Sequence, residues 1–277
     1  MPFSDPNPLG RKTDYPTTVD PAVLFAVARS EARTTLGIAT ALPFAGADIW
    51  NAWELSWLDQ RGKPCVAVAE LRVPCDSPNL IESKSLKLYL GGYAMTRFDD
   101  VHDVRARIAR DVSACTGADV EVALLEPADF GRLQATDFAG ESLDGQQLGV
   151  TGYAPPYPAH LGIHTHSHHV EEALVTHAFR SKCPVTGQPD WASVQIRYRG
   201  KPIDRAGLLR YLVSFREHAD FHEACVERMF VDIQARCAPM ELMVYARFLR
   251  RGGIDINPWR ATPGFVATPA NLRDPRQ

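Results

Sequence analysis

Residues 188–212 read QPDWASVQIRYRGKPIDRAGLLRYL, and the order of the pieces in this stretch decides the fold. The first piece, DWASVQIRYRG (190–200), alternates as a strand does. The second, IDRAGLLRYL (203–212), opens a helix. An earlier stretch has the same order, with KPCVAVAELRV (63–73) followed by IESKSLKLYL (81–90). Laid on each other, the strand pieces share Pro64/Pro189, Ala67/Ala192 and Arg72/Arg197. The helical pieces share Ile81/Ile203, Leu86/Leu208, Tyr89/Tyr211 and Leu90/Leu212, with Glu82 facing Asp204. Each match is weak, but the common order implies a degenerate duplication of one strand–helix module, each copy of about 110–130 residues, an ordinary domain size.

The remaining segments fit that plan. DDVHDVRARIARDVSACTG (99–117) carries Val101, Val104, Ile108 and Val112 at helical spacing, with Gly117 just past the end. DVEVALLEP (119–127) reads as a strand and FHEACVERMFVDIQARC (221–237) as a second helix of the later copy. MELMVYARFLRRGGIDINP (240–258) reads as strand, turn and loop. Residues 1–20 form an N-terminal arm, 21–150 the first module and 165–277 the second. The glycine- and proline-rich stretches GESLDGQQLG and GYAPPYPAHLG place the linker near residues 140–165.

Composition excludes several classes. The chain has 277 residues, 45% of them hydrophobic, enough for a real core. A formal net charge of −3 with no strongly basic region argues against a nucleic-acid footprint. The N-terminus MPFSDPNPLGRKTDYP lacks the apolar core of a secretory signal. The longest apolar region, residues 37–58, is interrupted by a proline, two acids and an asparagine and makes a poor membrane span. Six scattered cysteines without a CxxC pair suit reduced thiols in the cytoplasm.

SKCPVTGQPDW (181–191) is turn-rich, and a loop that folds back there brings Cys183 towards Asp190. Cys183 could be an inert buried thiol, or a nucleophile activated beside Arg180 and Lys182 with Asp190 as proton donor. His222 and Glu223 sit at a helix start. Either Asp220 and Glu223 form a capping-box-like pair, or a histidine and a carboxylate are presented together for chemistry. Glu82-Ser83-Lys84, with Lys87, is either a solvated first helical turn or a carboxylate and cations for a heterocycle and phosphates. Arg250-Arg251-Gly252-Gly253 is either a tight turn or a phosphate contact. His160, His164, His166, His168, His169 and His177 cluster in one stretch. On a strand, His164, His166 and His168 would share a face as metal ligands do; otherwise this is a solvated histidine-rich linker. Neither GxGxxG after a strand nor GxxxxGK[ST] is present.

Taken together, CPVTGQPDW, IESKSLKLYL, FHE and RRGGIDINP resemble the NADPH-dependent 7-cyano-7-deazaguanine reductases, the nitrile reductases of queuosine biosynthesis in tRNA modification, in their long two-module form. The resemblance covers nearly the whole chain. It implies an α+β protein of tandem tunnelling-fold modules, each an antiparallel sheet with helices packed on one face, assembled as a homodimer. It implies that Cys183 attacks the nitrile carbon to form a thioimide and that Asp190 protonates the nitrogen. Two NADPH per turnover then complete the reduction to the amine. By the same resemblance Glu82 and Glu223 hold the deazaguanine in a pocket with Ile81 and Ser83, and His222 assists a later proton transfer. Ser83 and Lys84 meet the cofactor, with Arg251 and Gly252 meeting it from the other module. No metal is required, and neither nucleic acid nor membrane is a direct partner. In the aligned copies Asp204-Arg205-Ala206 replaces Glu82-Ser83-Lys84, and Cys65 stands where Asp190 does, so one active site per module pair is expected. The runner-up is a zinc-dependent pterin or GTP cyclohydrolase-like enzyme using the histidines, and a third class is a purine-like ligand-binding module.

Overall fold

The computed structural model describes residues 15–38, 41–265 and 268–277. Most of the N-terminal arm, residues 1–14, lies outside the described residues. Along the chain run β1 (Ala26–Ala28), α1 (Arg29–Thr35), β2 (Ala45–Leu58), β3 (Pro64–Pro74), β4 (Asn79–Ile81), α2 (Ser83–Gly91), α3 (Val101–Thr116) and β5 (Glu121–Leu125). After them come β6 (Glu141–Ser142), β7 (Val170–Lys182), β8 (Pro189–Gly200), α4 (Arg205–Val213), α5 (His222–Cys237), β9 (Glu241–Phe248) and β10 (Ile254–Ala261). Sheets of antiparallel strands with helices against them make this the expected α+β architecture. In the second unit described below, the two-residue β6 pairs parallel with β7.

Two compact units divide the chain. The first gathers the described residues up to Glu31 with Asp48–Leu133 and Arg250–Asp255. In it β5, β3 and β2 lie side by side, β1 pairs antiparallel with β4, and α3 packs on β5. The second gathers Ala32–Ala47, Gln134–Leu249 and Ile256–Gln277. Its strands run in the order β10-β9-β8-β7-β6, with α4 on β7 and α5 on β9.

The duplication read from sequence reappears in each unit's internal bonds. Pro64/Pro189 open β3 and β8, so Cys65 and Asp190 are both second residues of their strands. Glu82 and Asp204 are the N-caps of α2 and α4, accepting from Lys84 N–H and Ala206 N–H respectively. Tyr89 on α2 donates to Asp111 of α3 at 2.8 Å, and Tyr211 on α4 donates to Asp232 of α5 at 2.6 Å. A buried hydroxyl needs such an acceptor, and the same tie between first and second helix has survived in both copies.

β9 is buried along almost its whole length because both faces are covered. Successive side chains of a strand point to opposite faces. Phe248 faces α5 and stacks on His222. Tyr245 and Arg247 face the other way, where the Tyr245 hydroxyl donates to Ala270 O and Arg247 to Asn271 and Gln277. β10 is likewise buried at nearly every position, which erases alternation, so the strand character of Ile254–Ala261 is not visible in a segment that reads as loop.

At the centre of the second unit Glu227 accepts from two arginines. Arg33 reaches it through Nε and Nη2 at 2.9 and 2.7 Å, and Arg260 through Nε and Nη2 at 3.1 and 2.8 Å. Both guanidiniums also lie over the ring of Phe44. Burial is the largest influence on the Glu227 carboxyl and would raise its pKa. The attraction of Arg260 and Arg33 outweighs burial and holds the carboxyl below its usual value. Removing one member of a buried ionic group leaves uncompensated charge, so Glu227→Gln should cost about 3–5 kcal/mol in urea unfolding. Because the folded pKa is depressed, the wild-type advantage is present above the ordinary carboxylate range and is lost as pH falls through the folded value. A variant as stable as wild type at neutral pH would refute this role.

Candidate active site

The fold-back expected between Cys183 and Asp190 is a β-hairpin connection. Cys183 N–H donates to Gln188 O at 2.9 Å and Gly187 N–H to Cys183 O at 3.0 Å, while Gly187 takes a φ of +67°. Across the hairpin Ser181 pairs with Asp190 and Lys182 with Pro189. Register alone would not aim the thiol. Between Thr176 and Phe179 the pairing shifts through a β-bulge, so β7 contributes Leu174 and Thr176 before it but Phe179 and Ser181 after it opposite the same face of β8. Cys183 follows Ser181 with that parity, on the side of Asp190, Ala192 and Val194. Cys183 is 7% exposed and Asp190 2% exposed.

Arg180 and Lys182 have the opposite parity. Both pair with Glu217, Arg180 at 3.3 Å, and Arg180 also lies over Trp191. The electropositive, partly exposed setting expected for the thiol from these two neighbours is therefore not what the fold builds: alternation sends them to the other face.

His222 and Glu223 begin α5 beside this hairpin. The preceding segment is tied to the end of β7, with Lys182 N–H donating to His218 O at 2.8 Å and Asp220 N–H to Lys182 O at 3.1 Å. His222 Nε2 stands 3.3 Å from Asp190 Oδ2, and its ring lies flat on Phe248 with centroids 3.8 Å apart and planes 4° off parallel. Its Nδ1 is buried with no hydrogen-bond partner among the described residues. Glu223 is buried. The capping-box alternative fails: the N-cap is Phe221, with no side-chain cap, because the helix starts two residues after Asp220. Asp220 instead accepts from Phe221 N–H.

Several neighbours of this cluster were not legible. Phe248 reads as an ordinary strand residue, and Ser181 carries no motif. Cys225, fully enclosed behind Ser181, has its thiol pushed well above its usual pKa by burial, so it stays protonated. A cavity of the unit, about 370 Å³, is lined by Trp191, Arg247, Leu249 and Gln277 among others but by none of Cys183, Asp190 or His222.

The first unit holds the other expected groups. Glu82 is fully buried, not solvated, and both carboxylate oxygens accept backbone N–H groups, from Lys84 and Ser85 at 2.7 Å each. Burial raises its pKa against those bonds and against the charges of Lys87 and Lys84. Ile81, on β4, is buried and pairs with Ala26. Ser83 and Lys84 are half-buried in the first turn of α2. Arg251 and Gly252, expected from the second module, group with the first unit. Gly252 and Gly253 at φ +58° and +79° make a tight turn closed by Arg251 N–H to Ile254 O, and Gly253 O accepts from Trp53 N–H. A Cβ on Gly252 would come within 3.2 Å of Cε of Lys87. The turn and phosphate-contact alternatives are thus compatible: lysines and an arginine beside a bare glycine backbone have the donor chemistry for phosphates.

The histidine-rich stretch is not a strand. β7 begins at Val170, and His164, His166, His168 and His169 lie exposed in the turns before it. Among the described residues no group of three or more His, Cys, Asp or Glu is placed to hold a metal, and no helix among them is long and apolar enough to cross a membrane.

A thiol, a carboxyl and an imidazole on one buried face form the set that thiol-based covalent catalysis needs. The chain matches the family model described as nitrile reductase, 7-cyano-7-deazaguanine-reductase N-term over residues 15–124, and that of QueF-like protein over residues 189–264. It is 56% identical over 270 residues to an NADPH-dependent 7-cyano-7-deazaguanine reductase of Stenotrophomonas maltophilia, covering 97% of each chain. It is 52% identical to that of Bordetella avium over 100% of both chains, and 55% identical to that of Burkholderia vietnamiensis over 98% of both. Among solved structures, an apo archaeosine synthase QueF-Like is 16% identical, covering 35% of this chain and 94% of its own with a TM-score of 0.31, a likeness too weak to carry weight. The chain belongs to the 7-cyano-7-deazaguanine reductase family.

The left-handed φ of Gly187 is the backbone cost of the hairpin turn, and no atom would obstruct a Cβ there. Gly187→Val should lower stability by about 1–2 kcal/mol, and Gly187→Asn by less. Equal losses for both in urea melts would contradict the strain account.

Proposed function

We propose that this chain is an NADPH-dependent nitrile reductase that converts 7-cyano-7-deazaguanine to 7-aminomethyl-7-deazaguanine for queuosine modification of tRNA. The observation that carries the proposal is the face shared by Cys183, Asp190 and His222, with Nε2 of His222 3.3 Å from Asp190, in a chain matched end to end by reductases of that name.

Catalysis on this proposal starts at Cys183, whose sulfur adds to the nitrile carbon while the nitrogen takes a proton from Asp190, giving a thioimide. Addition turns an inert triple bond into an electrophilic C=N. NADPH, bound twice in succession, supplies the two hydrides, with two protons for balance. Between them the C–S bond breaks, Cys183 leaves as thiolate, and the imine stays in the site. His222, stacked and bonded at Asp190, serves the later proton transfer to nitrogen. Glu223 accepts from the N–H and amino groups of the heterocycle. Glu82 is assigned the same role, its raised pKa relieved when a donor arrives, with Ile81 and Ser83 beside it. Ser83, Lys84, Arg251 and Gly252 are assigned to NADPH.

We keep residues 21–150 and 165–277 as the extents of the two modules, and cytoplasm as the compartment, which the six free cysteines support. A homodimer follows from the family resemblance alone. No metal step is included.

Substrate with the purified protein should consume two NADPH per amine formed, with the rate unchanged by EDTA. Asp190→Asn should lower kcat by about 100-fold or more, as loss of a general acid does, with substrate binding nearly unchanged. A variant that weakens binding alone would remove the acid role. Absence of NADPH consumption, or its loss with chelator, would remove the proposal.

A further inference from the structure

His222 is aimed by a ring that is itself held from behind. Phe248 ends β9, and its parallel contact with the imidazole at 3.8 Å leaves His222 Nε2 directed at Asp190. On one side Phe248 pairs with Ala192 of β8, and Leu249 N–H donates to Trp191 O at 2.9 Å. On its other side it is held by side-chain amides. Gln277 Nε2 donates to Phe248 O and to Asn257 Oδ1, both at 2.7 Å, and Asn257 Oδ1 also accepts from Phe248 N–H at 3.2 Å. Gln277 Oε1 accepts from Arg247 Nε and Nη2 at 3.0 and 2.8 Å and from Asp274 N–H at 3.0 Å. The side chain is buried, and a buried donor or acceptor left without its partner costs free energy.

We infer that Gln277 is a positioning residue of the active site: it fixes the backbone of Phe248, and through the Phe248 ring the orientation of His222 against Asp190. The inference rests on the role proposed for His222. Glutamine suits the place because one amide end supplies two donors and the other an acceptor. Glutamate would keep the bond from Arg247 but could donate to neither Phe248 O nor Asn257.

The test reads geometry and turnover separately. In wild type, NMR should show the His222 ring protons displaced by the face of Phe248. Gln277→Ala and Gln277→Glu should both move these signals towards those of Phe248→Leu. Both should also lower kcat about 10- to 100-fold, the scale of small misplacements at a site, with KM for the nitrile and the extent of Cys183 adduct unchanged. Gln277→Glu guards against a fold lost with Arg247 unsatisfied, and melting temperatures are taken on every variant. A merely structural role would lower adduct and kcat together and leave the ring signals of the folded fraction in place, which overturns the inference. Unchanged ring signals in both variants overturn it whatever the activity. Shifted signals with wild-type kcat also overturn it. In that case His222→Asn decides whether the fault lies only here, with kcat reduced, or in the role assigned to His222, with kcat unchanged.

Discussion

Asp144 accepts the N–H of His177 at 2.8 Å and the hydroxyl of Thr176, at the one place where β7 slips against β8. A bulge strips residues of their ladder partners, and buried backbone groups need replacements. The Asp144 carboxylate provides one for His177 N–H, and Thr176 Oγ1 another, accepting from Ala178 N–H at 3.1 Å. The rest of the second unit depends on this slip. Without it, every side chain after Thr176 would turn to the opposite face, taking Phe179, Ser181 and Cys183 from the helix side of the sheet. With it, the thiol emerges on the face of Asp190 and of the start of α5. The cost of an irregular strand is offset by the shared face it creates.

The first unit has the same frame and a different outcome. Glu82 and Asp204 cap equivalent helices, and Tyr89 and Tyr211 make equivalent bonds to an aspartate on the next helix. The retained groups are those that hold the frame, whereas the groups that differ are those assigned chemistry. Cys65 stands at the strand position of Asp190. The cations Lys84 and Lys87 follow Glu82, where Ala206 and Leu209 follow Asp204. Duplication followed by such division explains why one structural plan carries unlike chemistry in its two copies.

How far all this was legible depended on whether a constraint was local. Turn chemistry is local, so Pro184, Gly187 and Pro189 announced the hairpin connection and Gly252-Gly253 the tight turn. Helical spacing in 99–117 and 221–237 marked α3 and α5 almost to the residue. β2 and β7 escaped because they are buried on both faces for part of their length and lose the period of two. The Asp220 cap was misjudged because a capping pair in sequence does not say where the helix starts. The direction of Arg180 and Lys182 depended on alternation together with a bulge that no short motif reveals. The contacts of Phe248 and Gln277, 29 residues apart, are tertiary, and nothing in either local sequence announces them.

The central claim is that Cys183 is the nucleophile. Intact-protein mass spectrometry after mixing with 7-cyano-7-deazaguanine, without NADPH, tests it most directly. The account predicts a covalent adduct of the mass of the nitrile on the wild-type chain, abolished by Cys183→Ala and consumed when NADPH is added. An adduct that persists in Cys183→Ala, or a wild-type chain that forms none, would contradict it.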